Sequence, residues 1–86
     1  MANFVYEVAT LRIIDSVPYV ETEIYKSVET ARKRFNNRVK EEMSVWPFRE
    51  EDTVMDSSKD SFEIYVDGEA CENSTTITLS AKPIIE

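Results

Sequence analysis

The sequence predicts an α+β domain in which one helix packs on a four-stranded antiparallel sheet. One segment has helical periodicity, four others have strand composition or alternation, and the strands flank the helix in pairs. The chain has 86 residues, which suits a single domain over 1–86 and leaves no room for a second core. The expected element order is ββαββ. A 2-1-3-4 strand order would make all neighbours antiparallel, with the helix on one face.

The helix is predicted over about 28–44. Apolar residues recur there at spacings of three and four, which places them in one stripe; they are Val28, Ala31, Phe35, Val39 and Met43. Ser27 can cap the first turn. Basic residues occupy the other faces, so we expect the stripe to lie on the sheet and the basic side to face solvent. Trp46, three residues after Met43, is expected to close the core.

Two strands are predicted before the helix. Segment 3–14 is rich in β-branched and aromatic residues and is apolar on both faces, with or without a bulge near 9–10, which is typical of a central strand. Segment 19–25 alternates apolar residues with glutamates, which suits an edge strand. Residues 15–18 are predicted to form the turn between them.

Two more strands are predicted after the helix. Segment 49–61 is polar and without periodicity, so it is predicted to be a long loop. Alternation over 62–66 and 75–82 predicts the strands. Their turn lies either at Asp67-Gly68 or at 72–74 with Gly68 as a bulge, and the second version is favoured because it uses both alternating runs.

A sheet covered on one side leaves its other face in solvent. There Tyr19, Tyr25, Tyr65 and part of the first strand would form an apolar patch, which would mark an interface, commonly that of a homodimer. Isolated exposed aromatic residues are the alternative interpretation.

The composition argues against catalysis and bound cofactors. The chain has no histidine, and its single cysteine, Cys71, has no imidazole to activate it. Asp56, Ser58, Asp60 and Asp67 match ligand positions of an EF-hand loop, but Ser61 replaces the required glycine and a strand follows instead of a helix. We therefore expect no enzyme activity, no cofactor and no metal site.

Charge is segregated along the chain. Segment 26–49 contains seven basic and three acidic residues, whereas the remainder contains three basic and fourteen acidic ones, and the net charge is −7. This balance opposes direct binding to nucleic acid or to an anionic membrane. It permits a second interpretation, in which the chain mimics nucleic acid toward a basic protein. The candidate carboxylates for either kind of contact are Glu50, Glu51, Asp52, Asp56 and Asp60.

The N-terminal segment has no basic region leading into an apolar run, so a cytoplasmic protein is expected. The segments Lys26-Ser27-Val28-Glu29-Thr30-Ala31 and 62–68, FEIYVDG, resemble those of small acidic bacterial and phage proteins. This resemblance implies a compact ββαββ domain of bacterial or phage origin and assigns no functional residue. The function expected is that of a small protein-interaction module that self-associates through the open sheet face, with the acidic mimic as the alternative.

Overall fold

The computed structural model describes residues 3–84. The elements are β1 (Phe4–Ile14), β2 (Val17–Tyr25), α1 (Val28–Val45), a short 3-10 turn (Glu50–Asp52), β3 (Thr53–Ser57), β4 (Ser61–Val66) and β5 (Ser74–Pro83). They form one sheet in the order β2-β1-β5-β4-β3, and all neighbouring strands are antiparallel. The α+β class with one helix is confirmed. The predicted four-stranded sheet in the order 2-1-3-4 is wrong.

The fifth strand lies inside the segment that was predicted to be a loop. β3 pairs with β4 from Thr53 opposite Val66 to Ser57 opposite Phe62. Its side chains are exposed or half-buried, so its sequence has little apolar alternation. The strand forms because backbone groups pair with an adjacent strand, and side-chain patterns do not report that pairing.

β5 replaces the predicted third strand as the neighbour of β1. Three inward side chains of β5, Thr75, Ile77 and Leu79, are buried. A strand buried to this degree needs a neighbour on each side, and β1 and β4 provide them. An edge position, as in the predicted order, would have left these side chains less covered.

The first hairpin has a tighter turn than expected. Only Asp15 and Ser16 lie in the turn, with φ values of 50° and 66°, and Val17 already begins β2. β1 pairs without interruption to both neighbours, so there is no bulge at 9–10. The backbone N–H of Asp15 donates to Asn73 Oδ1 at 3.0 Å, which ties the hairpin tip to the loop between β4 and β5.

α1 begins and packs largely as predicted. The Ser27 hydroxyl accepts a hydrogen bond from the N–H of Thr30 at 3.3 Å. Ala31 and Phe35 are buried and Val39 packs beside them, but the predicted stripe residues Val28 and Met43 are about half exposed. Glu42, seven residues after Phe35, is buried in the place expected for Met43. Trp46 packs against the core after the helix ends.

The core lies between α1 and the three central strands. Its buried members are Val8, Ala31, Phe35, Phe62, Ile64, Ile77 and Leu79. β4 ends at Val66, and Gly68 then adopts a φ of 80° in a turn closed by the N–H of Glu69 and the carbonyl of Val66. The connection to β5 occupies 67–73, so the favoured version, with Gly68 as a bulge, is wrong.

Candidate interaction site

The face of the sheet opposite α1, here called the open face, carries no helix. Val8 is buried beneath α1 and lies opposite Glu23 in β2, so Glu23 faces the helix side. Every second residue of β2 counted from Glu23 faces the same side, because side chains alternate along a strand. Tyr19 and Tyr25 therefore lie on the helix side, and their predicted place on the open face is wrong. Tyr65 is opposite Ser74 and does lie on the open face.

Glu23 of β2, which faces the helix side, is paired with a helix side chain. Arg34 of α1 donates from Nε to both carboxylate oxygens of Glu23 at 3.0 Å. The Tyr25 hydroxyl also donates to Glu23. The apolar residues Val20 and Ile24 of β2, which alternation alone would place toward the core, lie on the open face.

These outward residues form an apolar surface, the hairpin patch, which consists of Leu11, Val20 and Ile24. Leu11 and Val20 are directly opposite each other on neighbouring strands. They are 39% and 66% exposed, and Ile24 is 55% exposed. Ile24 lies on the same face four residues along β2, beyond Thr22 and opposite Glu7. Large apolar side chains exposed on one sheet face are typical of a contact surface.

The rest of the open face is polar. β5 contributes a row of hydroxyl groups, of which those of Thr76, Thr78 and Ser80 are partly exposed and that of Ser74 is buried. Beyond this row, Asp56 of β3 lies opposite Glu63 of β4. The open face thus changes from apolar at β1 and β2, through hydroxyl groups at β5, to acidic at β3 and β4.

The structure separates the carboxylates that the sequence grouped together. Glu50, Glu51 and Asp52 lie on the 3-10 turn, and Glu51 pairs with the neighbouring Arg49. Asp56 lies on the open face, whereas Asp60, in the turn after β3, is bonded to Arg32 of α1. These positions do not form one continuous acidic stripe.

Glu23, which is partly buried, and Glu41, which is exposed, both have pKa values below the ordinary one of 4.5. Burial raises the pKa of Glu23, but hydrogen bonds from Tyr25 and Arg34 outweigh it and lower the value. The hydrogen bond from Arg38 is the main cause of the lowered pKa of Glu41, and Arg34 adds to it. The hydrogen bond that the Tyr25 hydroxyl donates to Glu23 raises the pKa of Tyr25.

Glu42 is buried on the side of α1 where the helix stripe predicted Met43. It is 1% exposed, accepts a hydrogen bond from the Thr75 hydroxyl at 2.7 Å, and lies 3.6 Å from Nε of Arg12. Arg12 Nε is buried and has no hydrogen-bond acceptor among residues 3–84. The seven-residue spacing from Phe35 was the available signal for this burial, because it continues the helix stripe.

The EF-hand-like residues are not brought together. Asp60 and Asp67 lie at opposite ends of β4, which is six residues long. Within residues 3–84, no group of three or more histidine, cysteine, aspartate or glutamate side chains has an arrangement that could hold a metal ion. Cys71 is an exposed free thiol in the loop between β4 and β5.

Comparisons with protein-family models, curated proteins and solved structures find no match for this chain. In the described part of the chain, no helix has both the length and the apolar character needed to cross a membrane.

Proposed function

We propose that this chain is a small protein-interaction module that pairs with a second copy of itself through the open face. The observation that carries the proposal is the hairpin patch, in which Leu11 and Val20 are exposed opposite each other and Ile24 is exposed farther along the same face of β2. Burying these side chains against the same patch of a second copy would remove apolar surface from water. Glu7, which lies opposite Ile24, would have to remain at the solvated rim of the contact.

The size of the face favours weak pairing. The two largest dimensions of the domain are 48 and 21 Å. The open face therefore offers an area of about 1,000 Å², of which the apolar part is less than the roughly 800 Å² that each partner contributes to a stable complex. We expect a dissociation constant on the order of 10–100 µM.

We place the protein in the cytoplasm, in keeping with the bacterial or phage origin that the resemblance implies. The exposed thiol of Cys71 supports a reducing compartment, because it has no other cysteine to pair with. The separation of Asp56, Asp60 and the 3-10 turn gives the nucleic-acid mimic less support, since mimicry requires carboxylates at regular spacing along one surface.

Sedimentation velocity from about 10 µM to 1 mM protein tests self-association. We expect the mass to rise above that of the 10.0-kDa monomer as concentration increases. Val20→Lys should keep the chain monomeric over the same range, because it would bury a charge in the contact. Val45→Lys is the matched control, since Val45 is 55% exposed but lies at the end of α1.

Circular dichroism melts of both variants establish that each is folded. A wild-type chain that stays monomeric at 1 mM would overturn self-association. Equal loss of pairing in Val20→Lys and Val45→Lys would show that the contact does not use the hairpin patch.

A further inference from the structure

A second apolar surface lies on the helix side of the sheet, where α1 ends. It is a cleft of about 250 Å³ between the end of the helix and the strands β3 and β4. Its apolar lining comes from Met43, Trp46, Phe48, Met55 and Ile64, and Glu50 contributes a carboxylate. Met43 and Met55 are each about half exposed, although both are large apolar side chains. Methionines of this kind adapt their shape to different apolar partners.

The aromatic wall of the cleft is held in position. The Trp46 indole N–H donates to Thr53 Oγ1 at 2.9 Å, and the Thr53 hydroxyl donates to the carbonyl of Arg49 at 2.7 Å. The Phe48 ring packs against Trp46 with centroids 5.0 Å apart and planes tilted by 57°. A wall that is already ordered loses little conformational entropy when a side chain enters the cleft.

The surface beside the cleft is acidic. Phe48 separates the apolar cleft from a polar depression of about 410 Å³, which is lined by Asp52, Asp67 and Glu69 together with Arg49. Arg49 is already paired with Glu51. The last turn of α1 has no basic side chain, so the negative end of the helix dipole adds to this field.

We propose that this corner binds a segment of a partner protein in which a bulky apolar side chain is flanked by lysine or arginine. The apolar side chain enters the cleft beside Trp46, and the basic side chains lie against Asp52, Asp67 and Glu69. Charge complementarity selects the class of partner, because an acidic or neutral segment would gain only the apolar contact. The proposal does not depend on the open face, which is the other side of the sheet.

The sole tryptophan of the chain provides the readout, because Trp46 lines the cleft. The first probe is a synthetic peptide of about twelve residues with a central leucine between lysine pairs. Two further peptides replace the leucine with serine or the lysines with glutamate. We expect the first peptide to shift Trp46 fluorescence and to bind at least about tenfold tighter than either of the others at low salt.

Matched charge reversals test where the basic residues bind. Asp52→Lys should lower the affinity of the chain for the leucine–lysine peptide about tenfold, because it places a cation beside the cleft. Asp56→Lys, four residues away on the open face, should leave its affinity within about twofold. Val20→Lys should also bind the peptide normally, even if it abolishes self-association, so failure of either proposal can be recognised separately.

Three results would overturn the inference. The first is the absence of a Trp46 response to the leucine–lysine peptide. The second is an affinity for the serine-substituted peptide equal to that for the leucine–lysine peptide, which would mean that the acidic surface attracts any basic chain. The third is equal weakening by Asp52→Lys and Asp56→Lys, which would reflect net charge alone.

Discussion

The solvent side and the sheet side of α1 each hold a glutamate paired with arginine, but the two environments differ. Glu41 is about half exposed and receives hydrogen bonds from Arg34 and Arg38. Glu42, the next residue, is fully buried against Thr75 and near Arg12. Water can replace the partners of Glu41, whereas it cannot reach Glu42. Burial, rather than the number of partners, therefore decides how much each carboxylate matters for stability.

The largest effect is expected at the buried carboxylate. Glu42→Ala leaves the Thr75 hydroxyl without its acceptor, Arg12 without its counter-charge and a cavity beneath the helix. The free energy of unfolding should fall by about 2–4 kcal/mol, measured by urea denaturation at pH 7.

The control for this substitution removes both charges and the hydroxyl that donates to Glu42. Arg12→Met and Glu42→Met combined with Thr75→Val fill the same space with apolar atoms and leave no buried donor unpaired, so the stability should lie within about 1 kcal/mol of wild type. If Glu42→Ala lost no more stability than this triple variant, burial of the carboxylate would not be the reason for its importance.

The burial of Glu42 also shows where sequence reasoning was sufficient and where it failed. Helical periodicity identified α1 and its stripe through Ala31, Phe35 and Val39, because a repeated spacing is a local property. The failure at Glu42 arose because a glutamate is ordinarily a surface residue, and its partners, Arg12 and Thr75, are distant in the sequence.

In the sheet, too, local patterns predicted some strands, whereas features that depend on contacts between distant residues were missed. Alternation revealed β4 and β5, whose inward residues are buried, but it could not reveal β3, whose formation depends on backbone pairing with β4. The outward position of Val20 and Ile24, and hence the hairpin patch, accompanies an ion pair between Arg34 of α1 and Glu23 of β2, which alternation within β2 does not reveal. The Trp46 cleft combines residues from α1, β3 and β4, so no single pattern predicted it.

An intermediate effect is expected at Glu23, which is 27% exposed and so lies between the two extremes. Its pKa in the folded chain is below 4.5, so its contribution to stability is present above about pH 4.5 and is lost as the pH falls through the folded value. Melting temperatures measured from pH 7 to pH 3 should therefore fall less steeply for Glu23→Gln than for wild type.

Glu21→Gln is the control for that pH series. Glu21 lies on the same strand and side of the sheet, but it has no ion pair within residues 3–84. Its profile should follow that of wild type. A Glu23→Gln profile that also follows wild type would show that the bonds to Arg34 and Tyr25 do not hold the folded pKa down.

The smallest effect is expected at Glu41. Glu41→Gln removes the charge that Arg34 and Arg38 share, yet Arg34 keeps Glu23 as a partner and solvent replaces the rest. The urea midpoint at pH 7 should not change beyond experimental error, in the absence or presence of about 1 M salt, where surface pairs are screened. A loss at low salt that disappears at high salt would show that the solvent-facing network stabilises the chain as a unit. A loss equal to that of Glu42→Ala at both salt concentrations would mean that exposure does not separate these adjacent glutamates, and the comparison between the two sides of α1 would fail.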